Sequence, residues 1–385
     1  MRFLFTCGGT AGHINPALGV AGRLKEVLGD AEFLFIGAEG MMETELVPRE
    51  GYPIRTIPVG NLSRSLSVSG LRHNLDTARK LLRGSREARR ILREFRPDVA
   101  VGTGGYVCYP VLREAHALGI PTLVHESNAV PGLTTKLLSR TVDCVMVGFE
   151  NVREHYPGST RVEFTGTPVR AAFTSVSRAE ARETLGLPDD ARLLVSVWGS
   201  LGSGHINALM PEFIRLAAAD GDFRLIHSAG KRGYAALDAA VRAAPGAGAL
   251  DGRGIEYRPY IYDMPRVMAA ADLVMCRSGA STLGELAALG MPALLVPSPN
   301  VTNHHQEKNA RLLERRGAAK VLLEGEFDAA ALYRTARSLL HDAPALEQMR
   351  EAMRATGVAD AAERIADLVL TYCARGSGVA AAGRR

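Results

Sequence analysis

The sequence has no apolar run approaching the roughly 18 residues that a membrane-spanning helix needs. Its opening, Met1-Arg2-Phe3-Leu4-Phe5-Thr6-Cys7, runs straight into glycines. The apolar core and small-residue cleavage site of a secretory signal are missing, so residues 3–7 read as a buried first strand. Cysteine is scarce, with five in 385 residues: Cys7, Cys108, Cys144, Cys276 and Cys373. They are scattered without metal-ligand spacing, and four sit in apolar strand-like runs. That pattern counts against a disulfide framework or a thiolate metal centre, and leaves reduced, buried thiols of a cytoplasmic protein. The familiar nucleotide motifs are also absent. The turn Gly8-Gly9-Thr10-Ala11-Gly12-His13 has neither Gly-x-Gly-x-x-Gly spacing nor a following Lys-Ser or Lys-Thr, which disfavours a dinucleotide site and a P-loop.

What is present is an ordinary globular composition, 46% hydrophobic and 23% charged, in a chain too long for one comfortable core. Short β-branched or aromatic runs alternate with helical patterns. Strands are expected at 3–7, 33–36, 99–102, 122–125, 144–147, 193–197, 225–227, 273–276 and 293–296. Alternating βα units imply mostly parallel sheets with helices on both faces. The punctuation repeats: one strand ends in the 8–13 turn, and a later one in Trp198-Gly199-Ser200-Leu201-Gly202-Ser203-Gly204. Each half then has a second small-residue turn, at Gly102-Thr103-Gly104-Gly105-Tyr106 and at Arg277-Ser278-Gly279-Ala280-Ser281-Thr282. An α/β fold of two Rossmann-like domains is therefore expected: 1–165, completed by a carboxy-terminal helix at 346–375, and 166–345. Residues 376–385 read as a disordered tail.

Ligands of open parallel sheets bind beyond the carboxyl ends of the strands, often on the next helix's amino-terminus. The 8–13 turn occupies that place. Pro16 suits the first turn of the helix that follows. His13 is placed to act as a general base toward a bound hydroxyl, against the plainer reading of a structural histidine. Thr282-Leu283-Gly284-Glu285 has two readings, a capping box at a helix start or a carboxylate gripping a ribose diol. Gln306 either holds sugar hydroxyls or is an exposed helix residue. Asp220-Gly221-Asp222 precedes a strand, the wrong end of a sheet for chemistry, and reads as a surface turn, leaving no metal site. The net charge is +5. Much of it lies between Arg64 and Arg96, where eight further cations meet only Asp76, Glu87 and Glu94, interleaved with Leu71, Leu75, Leu82 and Ile91. This reads as one or two basic amphipathic helices, suited to anionic lipid headgroups or simply solvated.

Taken in order, several segments resemble the MurG family of N-acetylglucosaminyltransferases. They are the stretch from Gly8 to Leu18, Gly104-Gly105-Tyr106-Val107, His125-Glu126-Ser127-Asn128, Gly166-Thr167-Pro168-Val169-Arg170, Gly199-Ser200-Leu201-Gly202, Cys276 to Thr282 with Glu285, and His305-Gln306-Glu307-Lys308-Asn309-Ala310. The resemblance implies a glycosyltransferase-B fold, with two Rossmann-like domains facing across a cleft. It implies transfer of GlcNAc from UDP-GlcNAc to the 4-hydroxyl of lipid-linked MurNAc-pentapeptide (lipid I), with inversion and without a cofactor or metal. His13 is then the base and Glu126 a second candidate or its orienting partner. Ile261 reads uracil and Glu285 holds the ribose. Ser200, Arg170 and the turn Ala280, Ser281, Thr282, continuing into Leu283 and Gly284, lie by the diphosphate. Gln306 and Asn128 contact the GlcNAc, over which Thr10, Ala11 and Gly12 close. The implied partners are UDP-GlcNAc, lipid I, the anionic inner-membrane surface and other cell-wall synthesis proteins, with no nucleic acid. The implied location is peripheral, on the cytoplasmic face of the cell membrane. Ala11 and Trp198 stand where the family commonly has glycine, and Asn61-Leu62-Ser63-Arg64 matches a family acceptor loop only loosely.

Overall fold

The structure, a computed structural model, describes residues 1–60, 68–150, 152–199, 202–244, 252–301 and 304–382. The chain forms two compact units, Met1–Ala171 with Asp360–Arg385, and Ala172–Ala359. In the first, seven strands make one parallel sheet: β1 Arg2–Thr6, β2 Glu32–Ala38, β3 Ile54–Ile57, β4 Val99–Gly102, β5 Thr122–Glu126, β6 Cys144–Val147 and β7 Val162–Phe164. Their spatial order is β3-β2-β1-β4-β5-β6-β7. The second holds a six-stranded parallel sheet: β8 Leu193–Val197, β9 Arg224–Ser228, β10 Ile255–Arg258, β11 Leu273–Cys276, β12 Ala293–Leu295 and β13 Ala319–Val321, ordered β10-β9-β8-β11-β12-β13. Both sheets reverse direction of progression beside their first strand, between β1 and β4 and between β8 and β11. Those are the switch points at which doubly wound folds bind ligands.

The strands are apolar on both faces because both faces are covered. Along β1, Phe3 and Phe5 enter one core with Phe33 and Phe35 of β2, while Leu4 enters the opposite core with Leu34 and Ile36. Register places Phe3 opposite Phe33 and Phe5 opposite Phe35. Both pairs stack, with centroids 5.5 and 5.3 Å apart, each contributing about 1 kcal/mol beyond simple burial. The helix Ala11–Leu28 and the terminal helix Ala361–Ala382 cover the phenylalanine face through Ile14, Leu24, Ile365 and Val369. The helices Val68–Phe95 and Cys108–Ala117 cover the other through Ile91, Leu92, Val111 and Leu112.

Four expectations shift. The boundary falls between Ala171 and Ala172 rather than after 165. The stretch at 346–375 is two helices: Ala343–Thr356 stays with the second unit, and only Ala361–Ala382 joins the first. Gly357 marks the break, where an added Cβ would lie 2.9 Å from Ala287. That final helix runs on to Ala382, through most of the stretch expected to be a disordered tail. The basic segment is one helix of 28 residues, and its interleaved apolar residues do not share one face: Ile91 is buried, whereas Leu75 and Leu82 are exposed.

Candidate active site

In the first unit, the turns after β1 and β4 meet at the switch point. The Gly8 N–H donates to the Gly104 carbonyl at 3.2 Å, and the Thr103 hydroxyl donates to the His13 carbonyl at 2.6 Å. Glycine is required where they touch, since a Cβ on Gly105 would sit 2.4 Å from the Gly8 carbonyl oxygen. The helix begins at Ala11 with Thr10 as its cap residue, and no side chain caps it. Pro16 is accordingly inside the helix, not in its first turn, and it withholds an N–H from the Gly12 carbonyl four residues back.

His13 stands in the first turn. Its Nδ1 lies 2.9 Å from the Gly8 carbonyl oxygen and 3.4 Å from the Thr10 hydroxyl. A carbonyl only accepts, so Nδ1 carries the proton and Nε2 is left as an acceptor. Among the described residues Nε2 has no hydrogen-bond partner. Beneath the turn, fully buried Glu43 takes the Gly9 N–H on Oε2 at 3.0 Å and the Ala38 N–H on Oε1 at 2.8 Å.

The end of β5 supplies the neighbouring loop. Glu126 is 6% exposed and both its oxygens are engaged. Oε1 accepts from the backbone N–H and the side-chain amide of Asn128 at 3.0 and 2.9 Å, and Oε2 from the Gly132 N–H at 3.0 Å. A carboxylate held by three donors organises this loop. His125, fully buried, donates from Nε2 to the Gly166 carbonyl at 2.8 Å, and burial pushes it below its ordinary range. Arg170 lies in this unit, paired with Glu50 at 3.1 Å.

In the second unit, the helix Ala280–Leu289 starts at the other switch point with Gly279 as its cap residue and no side-chain cap. Thr282 is thus inside the first turn, and the capping-box reading of Thr282 and Glu285 does not hold. The orphan N–H groups of Ala280, Ser281 and Thr282 keep their positive end uncovered. Leu283 is buried on the same helix, followed by Gly284, and Glu285 is 8% exposed, close enough to Cys276 to help burial raise that thiol. Gln306 is tied to the same region: its Oε1 accepts the Ser298 N–H at 2.9 Å and its carbonyl the Ser278 hydroxyl at 2.7 Å. Ile261, 2% exposed, follows the carboxyl end of β10. Ser200 and the loop Asn61-Leu62-Ser63-Arg64 lie outside the described residues.

Arg277 binds these parts together. It donates to the Ser203 hydroxyl at 2.7 Å and the Val296 carbonyl at 3.0 Å, pairs with Glu324, and lies 5.6 Å over the Trp198 ring. Ser203 in turn caps the helix Gly204–Asp220. The pair Asp220 and Asp222 flanks Gly221 ahead of β9 and is taken up by Tyr333 and Arg337. No group of three or more potential metal ligands occurs among the described residues. Nothing in the sequence singles out Glu43 or Arg277 for a role of its own. An acid opening an amphipathic helix looks like an exposed dipole partner, and the arginine opens a small-residue turn whose glycine and hydroxyls draw the attention.

Two doubly wound parallel sheets, each with a glycine turn and an uncapped helix at its switch point, make up the glycosyltransferase-B fold. The chain belongs to glycosyltransferase family 28, whose N-terminal domain matches residues 3–147 and whose C-terminal domain matches residues 193–365. It is 43% identical to the UDP-N-acetylglucosamine–N-acetylmuramyl-(pentapeptide) pyrophosphoryl-undecaprenol N-acetylglucosamine transferase of Acetivibrio thermocellus, over 96% of this chain and 97% of that one. The transferase of the same name from Caldanaerobacter subterraneus subsp. tengcongensis is 42% identical over 96% of this chain and all of its own. Among solved structures, MurG of Acinetobacter baumannii is similar with a TM-score of 0.71 at 29% identity, covering 96% of this chain and 99% of that one.

Proposed function

We propose that this chain transfers GlcNAc from UDP-GlcNAc to the MurNAc 4-hydroxyl of undecaprenyl-pyrophosphoryl-MurNAc-pentapeptide, giving lipid II for peptidoglycan synthesis. The observation that carries the mechanism is His13, whose Nδ1 is committed to the Gly8 carbonyl so that Nε2 accepts. In a single inverting displacement the 4-hydroxyl oxygen attacks C1 of GlcNAc from the face opposite UDP. The C1–oxygen bond to the diphosphate breaks, its electron pair leaves with UDP, and the hydroxyl proton passes to Nε2. Negative charge developing on the diphosphate is met by the uncapped first turn at Ala280, Ser281 and Thr282, continuing into Leu283 and Gly284, with Ser200 and Arg170 as further partners. Ile261 reads uracil through its backbone and Glu285 holds the ribose. Gln306 and Asn128 contact the GlcNAc along with Thr10, Ala11 and Gly12. Glu126 orients Asn128.

Working on a lipid-borne acceptor, the enzyme sits peripherally on the cytoplasmic face of the membrane, in contact with other cell-wall synthesis proteins. The exposed stripe of the helix Val68–Phe95 supports this, because Leu75 and Leu82 stand there among arginines. The deciding experiment supplies labelled UDP-GlcNAc with a lipid I analogue. A β-linked disaccharide is expected; failure of that transfer, with transfer to another lipid, would overturn the assignment. His13→Ala should lower turnover by roughly 100- to 10,000-fold while UDP-GlcNAc still binds, and unchanged turnover would remove His13 as the base.

A further inference from the structure

Glu43 is a carboxylate that this reaction does not use. It opens the short helix Glu43–Arg49 yet is 0% exposed, and among the described residues it has no ion-pair partner. Two glycines make room for it: a Cβ on Gly8 would lie 2.6 Å from its Oε1, and one on Gly37 would lie 2.5 Å from its Cγ. Its oxygens accept only backbone N–H groups, from Ala38 at 2.8 Å and Gly9 at 3.0 Å. An unpaired buried carboxylate is expensive to keep, which points to something its charge does locally.

The Gly9 N–H and the Gly8 carbonyl belong to one planar peptide unit. One edge of that unit donates to Glu43, and the other accepts from His13 Nδ1 at 2.9 Å. Gly9 has φ of +85°, so this plane adopts an orientation that a side-chain-bearing residue would resist. Fixing the N–H edge therefore aims the carbonyl edge. An ionised acceptor on the N–H also polarises the amide and strengthens its carbonyl as an acceptor. Two further ionisable groups that interact with Glu43 are the thiols of Cys7 and Cys108. Burial pushes both up, Cys108 to about 12, so they stay neutral.

We propose that Glu43 is the positioning residue of His13: acting through the Gly8–Gly9 peptide, it holds the imidazole in the Nδ1–H form with Nε2 free to accept the proton. This rests on the assignment of His13 as the base. The arrangement is a carboxylate–histidine pair with one peptide unit interposed. When Nε2 is protonated, the charge on the ring is answered through that unit by the carboxylate behind it.

The test is nitrogen-15 NMR of the His13 imidazole in the full chain, with steady-state kinetics alongside. In the parent protein the neutral ring should be the Nδ1–H tautomer. Glu43→Gln offers one acceptor oxygen for two N–H groups and opposes the other with its own NH₂. A mixture of tautomers should then appear, with kcat lowered roughly 10- to 100-fold and KM for UDP-GlcNAc unchanged. An Nε2–H tautomer in the parent overturns the proposal even if the variant does not fold. A folded Glu43→Gln that keeps the single Nδ1–H form overturns it whatever kcat does. If the tautomer shifts as expected but His13→Ala retains turnover, Glu43 keeps its hold on the ring and the base assignment falls instead.

Discussion

Arg277 Nη2 lies 2.7 Å from Ser203 Oγ, which joins the turn after β11 to the cap of the helix after β8. The same guanidinium reaches Val296 and Glu324, and Arg277 and Glu324 are only 15% and 12% exposed. Arg277→Ala would strand Glu324 in a largely dry site and release Ser203. Loss of a buried partner costs about 3 kcal/mol. A fall in melting temperature of several degrees is expected, together with weakened UDP binding by calorimetry. Arg277→Lys keeps the charge without the fork and should recover only part of either. Normal binding in a melted-down variant would confine Arg277 to structure.

Glu285→Ala separates two roles that sequence leaves open. No capping box exists for this variant to break, because the helix starts at Ala280. The expected outcome is UDP-GlcNAc affinity lowered by about 1.5–3 kcal/mol, the worth of hydrogen bonds to a charged group, with little change in melting temperature. Intact binding and a large loss of stability would refute the ribose assignment.

Sequence reading found the nine inner strands and missed β3, β7, β10 and β13, which are the four sheet edges. The reason is physical. Inner strands such as β8 are apolar on both faces, whereas the edges Ile54-Arg55-Thr56-Ile57, Val162-Glu163-Phe164, Ile255-Glu256-Tyr257-Arg258 and Ala319-Lys320-Val321 carry charge on a half-exposed side. The glycine turns and His13 were legible because chain direction alone places them at strand ends. Glu43 and Arg277 were not. Their importance comes from what closes over them, and an acid at a helix start or an arginine at the head of a small-residue turn looks the same exposed or buried.

Stability of the second unit should depend on pH through His227. It is fully buried, with Nδ1 2.8 Å from the Ser196 hydroxyl, and burial pushes it from 6.5 down to about 3. Above about pH 6.5 neither state is protonated and the full stability is present. As pH falls from there toward 3, the unfolded chain takes up a proton that the folded chain refuses, and stability drops by about 1 kcal/mol per pH unit. Trp198, the single tryptophan, hydrogen-bonds Ser196 at 2.8 Å and reports on this region by fluorescence. Urea titrations between pH 7 and pH 5, chosen as about the upper half of that window, should show the slope lost in His227→Gln. An equal slope in both proteins would count against it.

The helix Val68–Phe95 makes a graded prediction for membrane binding. Thr77, Ala88, Ile91 and Leu92 face the core, leaving Leu75, Leu82, Arg79, Arg83 and Arg86 outward. Not all its cations are equally free to meet lipid phosphate. Arg90 is paired with Glu87 and Glu94, and Arg89 lies 3.7 Å from Glu114. Among the described residues, Arg83 and Arg86 have no ion-pair partner. Each unpaired arginine near an anionic surface contributes about 1 kcal/mol, screened by salt. Arg83→Gln with Arg86→Gln should therefore reduce flotation on anionic liposomes more than Arg89→Gln with Arg90→Gln, most clearly at low salt. Turnover of a soluble acceptor should persist in both. Equal flotation of the two pairs and the parent would mean that this stripe is merely solvated, and that the leucines at 75 and 82 face water for some other reason.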